Sequence, residues 1–86
     1  MTLVNRLPAQ VELTVTSKKD KSAVKEKLAV GEQKKIYLEV GGYDIVSIYT
    51  DQGKMVAASS ESTSVGGTET WTFEAGMGGP RRNVTR

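Results

Sequence analysis

Apolar residues recur at every second position along this chain, and that period admits little except β structure. In Val11-Glu12-Leu13-Thr14-Val15-Thr16 the apolar side chains alternate with polar ones, which is the repeat of a strand with one buried face. Ile36-Tyr37-Leu38-Glu39-Val40 and Trp71-Thr72-Phe73 repeat it, and Val24-Lys25-Glu26-Lys27-Leu28-Ala29-Val30 does so less cleanly. Tyr43-Asp44-Ile45-Val46-Ser47-Ile48-Tyr49-Thr50 carries β-branched and aromatic residues on both faces, the signature of a central strand.

Turn residues separate these runs. Asp51-Gln52-Gly53 stands between Thr50 and Lys54-Met55-Val56-Ala57-Ala58 and predicts a hairpin with Gly53 in a left-handed position. Gly31-Glu32, Gly41-Gly42 and Gly66-Gly67 divide the other runs, and Lys18-Lys19-Asp20-Lys21 reads as a polar loop. Residues 21–30 have fair helix propensity, but the shared parity of Val24, Leu28 and Val30 favours a strand. Glu26 breaks that strand's inward parity, which places it at a sheet edge. The expected fold is therefore all-β: a small antiparallel sandwich or open barrel of six to seven short strands. Residues 1–75 form the domain and 76–86 a flexible Gly/Arg-rich tail. The expected core is Leu13, Val15, Ile36, Leu38, Tyr43, Ile45, Trp71 and Phe73.

Leu28-Ala29-Val30-Gly31-Glu32, Ile36-Tyr37-Leu38 and Gly42-Tyr43-Asp44-Ile45 together resemble the middle of short bacterial immunoglobulin-like or transthyretin-like modules. The resemblance covers about residues 10 to 58. It implies a sandwich with a structural, adhesive or carrier role and brings no functional residue. Some relatives form an internal Lys–Asn or Lys–Asp isopeptide bond with a Glu helper. Ser47 and Tyr49 stand where that Glu would be wanted, so the chemistry is not carried over.

The composition argues against chemistry. Eighty-six residues make one domain, and a chain this short buries only about 60% of its unfolded surface. Disulfides, metals or partners usually help such a core. The chain has no cysteine and no histidine, which removes disulfides, thiolate zinc sites, the commonest metal ligand and the usual general base. The serines of Ala58-Ser59-Ser60-Glu61-Ser62-Thr63-Ser64 have only Lys54 as a conceivable activator, and the plainer reading is a polar loop after a strand. Asp44, Asp51, Glu61, Glu69 and Glu74 are scattered singly, without calcium-loop spacing. Gly76-Met77-Gly78-Gly79 lacks the helix that a phosphate loop requires, and Asn83-Val84-Thr85 is a coincidental sequon. No enzyme, cofactor or metal is expected.

Charge is unevenly laid out. Residues 18–35 carry seven lysines against three carboxylates, net +4, and residues 36–75 carry one lysine against six, net −5. Arg81, Arg82 and Arg86 then form a basic tail after a glycine hinge and Pro80. Lysines commonly do no more than keep an edge soluble. A functional reading has Lys25, Lys27, Lys34 and Lys35, with Arg81, Arg82 and Arg86, meeting a protein partner or a second copy. The expected role is a non-catalytic structural or interaction module, such as an accessory or decoration subunit. The alternative is a small carbohydrate- or ligand-binding module that stacks Tyr37, Tyr49 or Trp71 on its ligand. Nucleic acid is a minor reading, because no aromatic row accompanies the basic residues. No basic leader precedes an apolar run, and no stretch is long enough to span a membrane, so a cytoplasmic or assembly-associated placement is expected.

Overall fold

A computed structural model describes residues 1–65, 68–74 and 76–85, with the backbone alone for residues 84 and 85. Gly66-Gly67, read above as punctuation, and Arg86, read as part of the tail, lie outside the described residues. Eight strands and no helix are found among those described: β1 (Thr2–Asn5), β2 (Gln10–Ser17), β3 (Ala23–Leu28), β4 (Gln33–Lys35), β5 (Gly41–Asp51), β6 (Lys54–Val65), β7 (Thr68–Phe73) and β8 (Arg81–Thr85). They make two four-stranded sheets, ordered β4-β1-β7-β8 and β3-β2-β5-β6. Every pairing is antiparallel except that of β1 with β7. The fold is a small β-sandwich.

The alternation seen in the sequence builds the inner faces. Val11, Leu13 and Val15 of β2 are buried, as are Tyr43, Ile45, Ser47 and Tyr49 of β5. The two strands lie side by side, with Val15 opposite Ile45 and Val11 opposite Tyr49. The other sheet contributes Leu3 and Asn5 from β1 and Glu69, Trp71 and Phe73 from β7. Tyr49 and Phe73 meet edge to face across the sheets, 6.2 Å apart, an arrangement worth about 1 kcal/mol beyond the area it buries.

The β5–β6 hairpin closes on Gln52 and Gly53, both left-handed at φ 51° and 78°. That pair is a type I′ turn, whose twist matches its flanking strands. Just beyond, Tyr49 faces Ala57 while Thr50 faces Met55, so Val56 is left over as a β-bulge.

Four expectations about the elements are corrected. First, the alternating run Ile36–Val40 is not a strand; the ladder is Gln33–Lys35. Its last rung joins Ile36 to Met1, through Met1 N to Ile36 O at 2.8 Å and Ile36 N to Met1 O at 3.0 Å. No β1 residue stands opposite Tyr37 to Val40. Ile36 and Leu38 still pack on the core, while Tyr37 and Val40 face water. Second, Ala58–Ser64 is not a loop, because β6 stays in register with β5 as far as Val65 opposite Gly41. Third, β3 is an edge strand as its parity implied, but it stops at Leu28, short of Val30; of the three apolar residues that shared parity only Leu28 is buried, and Val24 and Val30 are exposed. Fourth, Arg81–Thr85 is not a loose arm. It is strand β8, paired along β7 from Thr72–Arg81 to Thr68–Thr85.

Candidate functional site

A two-layer sandwich has two open sides, where the edge strands of its sheets face each other. The residues singled out from the sequence sort themselves by which side they occupy and which way they point.

On one side, β4 of the first sheet faces β3 of the second. Lys34 stands opposite buried Leu3, and Glu26 opposite buried Leu13. Both therefore aim inward. The Lys34 ammonium donates to Glu26 Oε2 at 3.3 Å and to the Lys27 carbonyl at 3.1 Å, tying one sheet to the other. Both side chains keep some solvent contact, at 34% and 24%.

On the other side, β8 faces β6. Arg82 stands opposite Trp71, which points inward. Its Nε and Nη2 donate to Glu69 Oε1 at 2.8 and 2.6 Å, and Nη2 also reaches the Ser64 carbonyl at 2.7 Å. Nη1 donates to the Thr63 hydroxyl. The same Glu69 oxygen accepts the Trp71 indole N–H at 2.9 Å, and the guanidinium lies 5.5 Å from the Trp71 ring centroid, within cation–π range. The Glu69 side chain has no exposed surface and that of Arg82 only 21%. Arg82 thus spans from β8 across buried Glu69 to the backbone of β6.

The remaining nominated cations face water on different surfaces. Lys25 and Lys27 lie outward on β3, with Lys27 3.4 Å from Glu12. Lys35 and Arg81 lie on the outer face of the other sheet. Arg81 approaches Glu74 at 3.6 Å, and Arg6 meets the same carboxylate at 3.9 Å. The seven do not converge into one basic patch: two are spent inside the sandwich, and Arg86 lies outside the described residues. Of the aromatics nominated for a ligand, Trp71 and Tyr49 are wholly buried, and the Tyr49 hydroxyl accepts Gly79 N at 3.0 Å. Tyr37 alone is exposed, at 81%.

Among the buried polar residues that the sequence reading missed, two carry hydrogen-bond networks. Asn5 has no exposure. Its side-chain amide donates to the carbonyls of Ala9, Leu28 and Ala29, and its Oδ1 accepts Leu7 N, so one side chain pins the turns at one pole of the sandwich. Glu69 is the other, and the alternation Glu69-x-Trp71-x-Phe73 already carried that signal.

The edges themselves differ. β3 carries Lys25 and Lys27; β4 is three residues long with Lys34 and Lys35; β8 carries Arg81 and Arg82. β6 is twelve residues long with only Lys54 and Glu61 charged, and it pairs with β5 alone. Gly42 gives its carbonyl to Lys18 N, toward β2. Its cross-strand partner Ser64, and by alternation Ser62, Ser60 and Ala58, therefore turn their backbone N–H and C=O groups away from β5. The Arg82 bond to the Ser64 carbonyl follows that direction. Between the bulge at Val56 and the Arg82 contact at Ser64, no strand among the described residues pairs with the outward backbone groups of residues 57–62, while the inward side chains of Ser59 and Glu61 lie beside Gly79.

Among the described residues no three His, Cys, Asp or Glu side chains group as a metal site, and no helix is long and apolar enough to cross a membrane. Compared with protein-family models, curated proteins and solved structures, the chain finds no match in any of the three.

Proposed function

We propose that this chain is a non-catalytic interaction module that docks an extended segment of a partner, or of a second copy, along β6 at Ala58, Ser60 and Ser62. The observation that supports it is the contrast among the four edges. Sheet edges are ordinarily guarded by short length, lysines or inward charge, and β3, β4 and β8 have these protections. The stretch 57–62 carries no lysine and one inward carboxylate, Glu61 opposite buried Ile45; its outward side chains are small and its outward backbone groups have no strand beside them among the described residues, which is what strand addition requires. Exposed Met55 and Val56, at 67% and 52%, add apolar contact at one end. A structural or accessory role follows, with the basic residues steering approach and the β6 backbone supplying the grip.

The test is amide hydrogen exchange on the full chain at rising protein concentration and with co-purified partner. Added protection should appear at residues 57–62 and vanish in Ser60→Pro, which removes an outward N–H without touching the β5 ladder. Protection confined to β3, or unchanged in Ser60→Pro, would refute edge docking at β6.

A further inference from the structure

A groove of about 280 Å³ lies between the β2–β3 hairpin and the unladdered segment 37–40. Its floor is apolar: Val15, Val24, Leu38 and the ring of Tyr43. Tyr37 stands at its lip. Its only charged lining residues are Asp20 and Glu39. The lysines beside Asp20 in the chain do not line it, and Lys18 turns instead toward Asp44 at 3.9 Å.

The Asp20 carboxylate and the Glu39 backbone are held in place. Asp20 accepts the Ser22 hydroxyl at 2.7 Å and the Ser22 N–H at 3.0 Å, and these bonds lower its pKa. The Tyr43 hydroxyl donates to the Glu39 carbonyl at 2.6 Å, fixing the Glu39 backbone at the groove wall. The Tyr43 pKa is raised, first by burial and then by the charges of Glu39 and Asp20. Both carboxylates thus lie close enough to Tyr43 to disfavour its ionised form.

We infer that this groove binds one cationic side chain, an arginine or lysine, presented by an extended partner segment. Three observations point to it. The charged lining is wholly acidic. An aromatic ring that folding leaves 81% exposed stands beside those carboxylates, as cation–π contact requires. The volume lies just below the range of about 300–1,000 Å³ typical of small-molecule pockets, so it suits a single side chain. The apolar floor takes the methylene stem of such a residue while its head reaches the rim. This site lies apart from the β6 edge and stands or falls independently of docking there.

Titration of the intact protein with N-acetyl-arginine methylamide, followed by amide NMR, tests the inference. Shifts are expected at Asp20–Ser22 and Tyr37–Glu39, with millimolar affinity (about −4 kcal/mol). The neutral citrulline analogue should not reproduce them. Tyr37→Ala and Glu39→Gln, both at exposed positions, should each weaken binding about fivefold. Equal response to the citrulline analogue, no shift at millimolar arginine probe, or shifts at the same residues with methyl glucoside would each overturn the assignment.

Discussion

The two open sides of the sandwich are closed by the same device, an inward cation meeting an inward carboxylate, yet the two closures are built differently. Lys34 and Glu26 meet as a point charge and a half-wet carboxylate, in a gap that water still reaches. Arg82 and Glu69 meet where the carboxylate has lost all contact with solvent, and the guanidinium divides its donors among a carboxylate, a hydroxyl and a carbonyl. Exposed pairs contribute about 0–1 kcal/mol because water and salt compete for both partners. A buried pair is costly to break, because removing one member strands the charge of the other in a poor solvent. The same pairing of charges thus serves as a solubilising guard on one side and as a structural clasp on the other, and burial together with the added bonds of the guanidinium separates the two.

Three substitutions test that contrast, read by urea unfolding with Trp71 fluorescence. The largest effect is expected from Arg82→Ala. It should lose about 3 kcal/mol, a large share of the roughly 5–15 kcal/mol that folded domains possess. A loss no greater than that of Lys34→Ala would erase the distinction. Arg82→Lys should cost less, about 1–2 kcal/mol: the charge stays near Glu69, but the fork that also reaches Thr63 and Ser64 is gone. Full retention of stability would mean that charge alone holds β8 against β6. The smallest effect belongs to Lys34→Ala, at most about 1 kcal/mol and shrinking further at 1 M salt, where screening acts within about 3 Å. A salt-insensitive loss would assign the Lys34 contribution to its packed stem instead of its charge.

The same comparison explains how far the fold could be read in advance. β2, β5 and the β5–β6 turn were legible because apolar alternation marks the two strands and a turn signal follows β5. Glu26 was legible as an inward charge because its neighbours Val24 and Leu28 fix the parity. Arg82 was not, since its inward direction is set by pairing with Trp71 eleven positions earlier, and the glycines between hide that register. β6 was read only as far as Ala58, for a related reason. Its far half buries only Val65, so no apolar period marks it, and the strand is held by its ladder to β5. The run Ile36–Val40 erred the other way: it has the period and the buried Ile36 and Leu38 contacts, but no strand opposite. Of the candidate groove, only Tyr37 was visible beforehand. Asp20 and Glu39 come together through the approach of a hairpin turn and an unpaired segment, which spacing does not encode.

The parallel pairing of β1 with β7 sets an order of events for a chain made from its N-terminus. Thr2 through Asn5 match Thr70 through Phe73, so β1 must wait until Phe73 has been made before its main neighbour exists. The sheet β3-β2-β5-β6 is complete once Val65 has emerged, and it contains two of the three pairs of consecutive antiparallel strands. One layer can therefore assemble during synthesis while the other remains open, its apolar inner face uncovered until β7 and β8 arrive. Distant pairings of this kind slow folding and lengthen the exposure of sticky surface, and here the delay falls on the layer that carries Trp71 and Phe73.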